Sequence, residues 1–106
     1  MRIIRRSKVM FINDKVEKEF NLLKEEESIK KHIKKAIEEI KLNAFCAIPI
    51  PKRLIPKQYN IGNLWKYDLP DGWRLMYTIT TPNKIEIISI ILEWLNHKDY
   101  ERRFRY

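Results

Sequence analysis

The sequence predicts an α+β fold: two antiparallel N-terminal helices packed on one face of a mainly antiparallel four-stranded sheet, in the order β-α-α-β-β-β, with a short C-terminal helix or arm. Three observations predict it. Apolar residues recur at helical spacing in two stretches between residues 14 and 41, three aromatic or β-branched runs follow residue 62, and turn residues separate those runs. At 106 residues, 44% of them hydrophobic, the chain can build one core and is read as a single domain over residues 1–106.

Residues 9–12 form a short apolar run that suits a first strand, and Asn13-Asp14 behind it suits a helix cap. Glu17 lies three residues after Asp14, which is capping-box spacing. Val16, Phe20 and Leu23 then repeat at i, i+4, i+7 and define the apolar side of a first helix. Ser28 is expected to cap a second, longer helix. Ile29, Ile33, Ile37 and Ile40 form its apolar stripe, while Lys30, Lys31, Lys34, Lys35 and Lys41 line the remainder. Between residues 43 and 62 the periodicity disappears, and Pro49, Pro51 and Pro56 exclude an uninterrupted helix or a central strand. A loop this long in so small a domain is commonly functional. Strands are expected at residues 63–69, 73–80 and 84–92, with turns at Pro70-Asp71-Gly72 and Thr81-Pro82-Asn83. The tail, residues 96–106, is charged at most positions and is expected to finish as a short helix or arm.

The first hairpin has a predicted register. A three-residue turn sets Leu69 opposite Trp73, so that Trp65, Tyr67 and Leu69 share a buried face with Trp73, Leu75 and Tyr77. Lys66, Asp68, Arg74 and Met76 then occupy the other face, with Asp68 directly opposite Arg74. The helices are expected to cover the aromatic face, which leaves the polar face open to a ligand.

The formal charge is +8, which attracts phosphate-rich partners over about one Debye length, roughly 8 Å at physiological salt. Nucleic acid is the first expectation and an anionic membrane surface the second. The one cysteine, Cys46, excludes an internal disulfide and a cysteine-based metal cluster, as suits a reducing cytosol. The longest apolar stretch, residues 85–95, contains Glu86 and Glu93 and is far shorter than the roughly 20 residues that span a bilayer. Residues 1–6, Met-Arg-Ile-Ile-Arg-Arg, hold no apolar stretch of signal-peptide length, so a cytoplasmic location is expected.

Three words carry a resemblance: Asn-Leu-Trp-Lys-Tyr-Asp-Leu-Pro at 63–70, Gly-Trp-Arg-Leu-Met-Tyr at 72–77, and Trp-Leu-Asn-His-Lys-Asp-Tyr-Glu at 94–101. Together with the element order, length and charge, they resemble the RelE/ParE toxin superfamily. The resemblance implies a toxin of a type II toxin-antitoxin system: an endoribonuclease that cuts mRNA on the ribosome without metal or small-molecule cofactor and is silenced by a cognate antitoxin. It also implies roles for individual residues. Arg74 matches the arginine that steadies the phosphate in the transition state, Lys66 the first of two strand lysines beside the scissile phosphate, and Tyr100 the C-terminal tyrosine proposed as base in several members. His97 matches a histidine that some relatives carry in the C-terminal segment. The chain departs from the pattern in two places: Asp68 stands where the second lysine is expected, and Trp94 where the last strand commonly ends in arginine.

Metal-free RNA cleavage needs a base for the 2′-hydroxyl proton, cationic donors for the phosphorane and an acid for the 5′-oxygen. Arg74 offers a planar fork matched to phosphate, against its alternative as a cross-strand salt bridge to Asp68. A phenol, with an ordinary pKa near 10, needs cations beside it to serve as base, and Lys98, Arg102 and Arg103 neighbour Tyr100 in sequence; the alternative is a tyrosine that anchors the arm. An imidazole such as that of His97 suits proton transfer near neutral pH. Lys52, Arg53 and Lys57 fall between prolines, where a stiff basic segment can follow an RNA backbone, and with Lys98, Arg102 and Arg103 they form the expected RNA-binding set. His32 is read as solvated and Lys30, Lys31, Lys34 and Lys35 of the second helix as an ordinary exposed face, with ribosomal RNA contact as the alternative, while Trp65, Trp73 and Trp94 are read as core and Cys46 as structural. Two alternatives stand beside the nuclease: a ParE-like toxin that inhibits DNA gyrase by protein contact, and an inactive, basic nucleic-acid-binding relative.

Overall fold

The computed structural model describes residues 5–105; the first four residues, with which the charged start begins, and Tyr106, the end of the expected arm, lie outside the described residues. The elements are β1 (Lys8–Phe11), α1 (Asp14–Leu22), α2 (Ser28–Leu42), β2 (Ile48–Pro49), β3 (Trp65–Asp68), β4 (Arg74–Thr80), β5 (Ile88–Leu95) and α3 (His97–Phe104). The strands form one sheet in the order β1-β5-β4-β3-β2, with β1 parallel to β5 and the other pairs antiparallel. The class is α+β, as expected, but the sheet has five strands and is mixed, not four-stranded. The added strand, β2, comes from the proline-bearing loop and pairs Ile48 with Lys66 and Pro49 with Trp65. It lies at the edge of the sheet, where a proline lacking its N–H interrupts no central ladder.

Local chemistry explains how the elements begin. Asn13 and not Asp14 caps α1, its Oδ1 accepting from the Val16 N–H at 2.9 Å. Asp14 and Glu17 occupy the first turn, where acidic side chains complement the helix dipole. Ser28 caps nothing: it is the first residue of α2, and the cap position, Glu27, makes no side-chain cap bond. β5 begins at Ile88, four residues later than expected, because the Asn83 Oδ1 accepts from the N–H groups of Ile85 and Glu86 and keeps that stretch in a turn.

The main core lies between the two N-terminal helices and one face of the sheet. Ile33, Ala36 and Ile40 of α2 and Phe20 of α1 meet Leu69, Leu75, Tyr77 and Ile91, with Trp65, Tyr67, Trp73 and Trp94 packed around them. The β3–β4 register matches the sequence-based one at every pair: Asp68 opposite Arg74, Tyr67 opposite Leu75, Lys66 opposite Met76 and Trp65 opposite Tyr77. The other face of the sheet departs from expectation. Leu64, Met76, Leu92, Leu95 and Tyr100 form a second core there, closed over by Ile50, Ile55, Tyr59 and Ile61 of the loop and by Phe104 of α3. The loop and the C-terminal helix therefore cover a face expected to be open. Met76, predicted on the exposed polar side, is fully buried.

A β-bulge contributes to this second core. Met76 pairs with Glu93 but the next residue, Tyr77, pairs with Ile91, so Leu92 is the extra residue of β5. The irregularity lets Leu92 join the second core while Glu93 keeps its place opposite Met76, where strict alternation would have parted them. Among the described residues, no helix is long and apolar enough to cross a membrane.

Candidate functional site

Arg74 opens β4, and its neighbours Leu75 and Tyr77 belong to the main core. Its side chain reaches across to α3 and is only 18% exposed. Nη1 donates to the carbonyl of Gly72, and the guanidinium carbon stands 4.8 Å from the centroid of the Tyr100 ring. The Nζ of Lys66, from neighbouring β3, stands 5.6 Å from the same centroid. Two cations thus share one aromatic ring that is 3% exposed, at distances where cation–π attraction contributes about 0.5–2 kcal/mol each. Asp68 sits between them, its Oδ1 3.5 Å from Lys66 Nζ and 3.8 Å from Arg74 Nε. That last separation is too long for a hydrogen bond, and Arg74 Nε is buried with no hydrogen-bond partner among the described residues.

His97 completes the group from the start of α3. Its Cβ lies 3.2 Å from the point where a side chain on Gly72 would begin, and Arg74 Nη1 lies 3.6 Å from that point. The imidazole is largely exposed, and its Nε2 lies 2.5 Å from Glu101 Oε1 one turn along the helix. Asn96 sets the start of α3 by accepting from the Asp99 N–H at 2.8 Å. The four residues expected to carry catalysis, Arg74, Lys66, Tyr100 and His97, are therefore brought to one end of the sheet. They lie on the face opposite α1 and α2, and three of them, Arg74, Lys66 and Tyr100, are largely covered.

The expected RNA-binding residues divide into three sets. Lys52, Arg53 and Lys57 are exposed on two short 3₁₀ turns, Lys52–Leu54 and Lys57–Tyr59, each preceded by a proline. Lys52 and Lys57 line an open groove of about 630 Å³ with Asn60 and Gly62, and none of Arg74, Lys66, Tyr100 or His97 lines it. Lys98 and Arg102 are exposed on α3, Arg102 bordering a smaller groove with Asp99 and Arg105. Arg103 differs from both sets. It is half-buried, its Nη2 3.0 Å from Glu93 Oε1, and its charge is engaged inside the fold.

Glu93 and Tyr59 were not singled out in the sequence as site residues. The hydroxyl of Tyr59 donates to Glu93 Oε2 at 2.5 Å, and burial, then that carboxylate, pushes the phenol well above its ordinary value. The available signal was Glu93 itself, a charge interrupting an apolar strand. Trp94 faces the helices, its ring 6.3 Å from that of Phe20, so Leu95, paired with Arg74, is the last β5 residue beside the cluster. Burial, and then the charge of Glu39, raise the Cys46 thiol, which keeps it from the thiolate form a nucleophile needs. His32 is partly buried on α2, away from the Arg74 cluster. Among the described residues, no three His, Cys, Asp or Glu side chains gather to hold a metal ion. Compared with protein-family models, with curated proteins and with solved structures, the chain matches none.

Proposed function

We propose that this chain is a toxin of the RelE/ParE kind: an endoribonuclease that cuts mRNA on the ribosome, in the cytosol, without metal, and is silenced by an acidic antitoxin. The observation that carries the reading is the convergence of Arg74 and Lys66, from adjacent strands, on the ring of Tyr100. A planar guanidinium with a lysine alongside suits the growing charge of a pentavalent phosphorane.

In the proposed reaction a base takes the 2′-hydroxyl proton, O2′ forms a bond to phosphorus, and the P–O5′ bond breaks as an acid protonates O5′. The products are a 2′,3′-cyclic phosphate and a 5′-hydroxyl. Tyr100 and His97 are the candidate proton carriers, and Glu101 orients the imidazole of the second. Lys52, Arg53, Lys57, Lys98 and Arg102 extend the basic surface along which RNA is held.

The test is cleavage of ribosome-bound mRNA by the purified chain in EDTA, with product ends identified. Arg74→Ala is expected to slow cleavage by about 10²–10³-fold, the usual cost of one donor to a developing oxyanion. Arg74→Lys should fall between, since it keeps the charge and loses the fork. Loss of cleavage in EDTA, 3′-hydroxyl products, or an undiminished Arg74→Ala rate refutes the reading. A second reading, gyrase inhibition by protein contact, draws on Asp68, which already answers both cations and competes with a phosphate. Inhibition of supercoiling without RNA cleavage would establish that one.

A further inference from the structure

We propose that Glu93 is a positioning residue for the Arg74 cluster: by holding Arg103 of α3 and Tyr59 of the loop at once, it sets how α3 lies across the sheet and where Tyr100 stands. The inference rests on the reading of Arg74, Lys66 and Tyr100 as the reacting group.

Apolar packing of Tyr100 and Phe104 in the second core buries one face of α3, and the Arg103–Glu93 pair adds a directional contact. The helix is eight residues long, short enough to be marginal as an isolated helix, and Tyr100 is its one buried residue. A single residue, Asn96, joins it to β5, so the cap bond fixes where the helix starts but leaves its direction to contacts farther along. Those contacts are both apolar and charged. The Phe104 ring lies 4.5 Å from Tyr100 and 6.5 Å from Tyr59, and one turn beyond Tyr100 comes the ion pair of Arg103 with Glu93 at 3.0 Å. Each Glu93 oxygen has its own partner, Oε2 the Tyr59 hydroxyl and Oε1 Arg103, while the Arg103 guanidinium stands 6.0 Å from the Tyr59 ring.

Loop, β5 and C-terminal helix thus meet at one carboxylate. Its side chain is 25% exposed and that of Arg103 34%, so neither charge is fully solvated and the pair is directional. A swing of α3 about Asn96 would carry Tyr100 away from Arg74 and Lys66, and a displacement of about 1 Å at reacting groups costs up to about 10²-fold in rate.

The test uses the full chain with Arg103→Met, Arg103→Lys, Glu93→Gln and Tyr59→Phe. Two readouts need no activity: amide hydrogen exchange in α3 against β4, and acetylation of the Lys66 amine followed by mass spectrometry. Arg103→Met and Glu93→Gln are expected to speed α3 exchange about tenfold, leave β4 unchanged and raise Lys66 labelling. Tyr59→Phe keeps the ion pair and should show a smaller change of the same kind, and Arg103→Lys should stay near the unmodified chain. In the cleavage assay Arg103→Met should lower kcat about tenfold with KM within twofold, and Arg103→Lys should recover most of it. A direct role of Arg103 in binding phosphate would instead raise KM. The proposal is overturned if α3 exchange and Lys66 labelling do not change in any variant, or if α3 and β4 loosen equally, since the carboxylate then serves only global stability. Selective loosening of α3 in a chain that cuts no RNA upholds the tether and removes the nuclease reading alone.

Discussion

Lys30 shows how one buried charge holds the two N-terminal helices together. Its side chain is 7% exposed, and its Nζ donates to the Leu23 carbonyl at 2.9 Å, meets Glu25 at 2.7 Å and stands 5.3 Å from the Phe20 ring. It thus satisfies a carbonyl left over at the end of α1. Lys34 joins the same carboxylate at 2.7 Å, and hydrogen bonds from Lys30 and Lys34 draw the Glu25 carboxyl down to about 2. Lys30→Met, which keeps the bulk and removes the donor, is expected to lower stability at pH 7 by about 1–3 kcal/mol, read from denaturant unfolding. The pH dependence follows in sign. A carboxyl depressed in the folded state stabilises above its unfolded value near 4.3, and that contribution disappears as pH falls towards 2. The unmodified chain should lose stability across that interval, and Lys30→Met should lose less. The difference should be small, because Glu25 is solvent-exposed and its charge is screened.

The turn between β3 and β4 connects conformation to the site. Asp71 and Gly72 both have positive φ, 61° and 78°, which an aspartate tolerates and a glycine adopts freely. A methyl group on Gly72 would meet His97 Cβ at 3.2 Å, and a β-carbon yields only if α3 itself moves. Gly72→Ala is therefore expected to cost about 1–2 kcal/mol, a fall in Tm of several degrees, together with loss of cleavage. Gly62→Ala is the control, since nothing lies within 4 Å of the added carbon. If thermal melts show equal Tm for the two variants, the close packing of turn and helix is not a determinant of the site.

Across the whole molecule a charge of +8 surrounds a cluster that is itself largely covered. If the proposed nuclease reading holds, affinity for RNA comes mainly from the exposed residues, Lys52, Arg53, Lys57, Lys98 and Arg102, and specificity of reaction from the cluster. The expected signature is a steep salt dependence, about 0.7 in log K per log salt for each phosphate neutralised on single-stranded RNA. Replacing Lys52, Arg53 and Lys57 together by Ala should flatten that slope by roughly 2 while Arg74→Ala leaves it nearly unchanged. Fluorescence anisotropy titrations across a salt series measure both. An unaltered slope in the triple variant would move the RNA path away from the loop.

Period and turn chemistry carried much of this architecture in the primary structure. The stripe ending in Ile33 and Ile40, the alternation from Trp65 to Tyr77, and the Pro-Asp-Gly turn each depend on neighbours a few residues apart, and so the helices and the Asp68–Arg74 register were legible. The structure brings Arg74, Lys66 and Tyr100 together as the sequence reading expected, while their burial was not legible in the sequence. Pairing and covering decided the remainder. The two-residue β2, the extra Leu92 in β5 and the second core under α3 all depend on residues far apart in the chain. A charged tail of eight helical residues carries too few apolar side chains to announce where it docks; its place follows from Tyr100, Phe104 and a single arginine reaching Glu93, contacts that exist only once the sheet has formed.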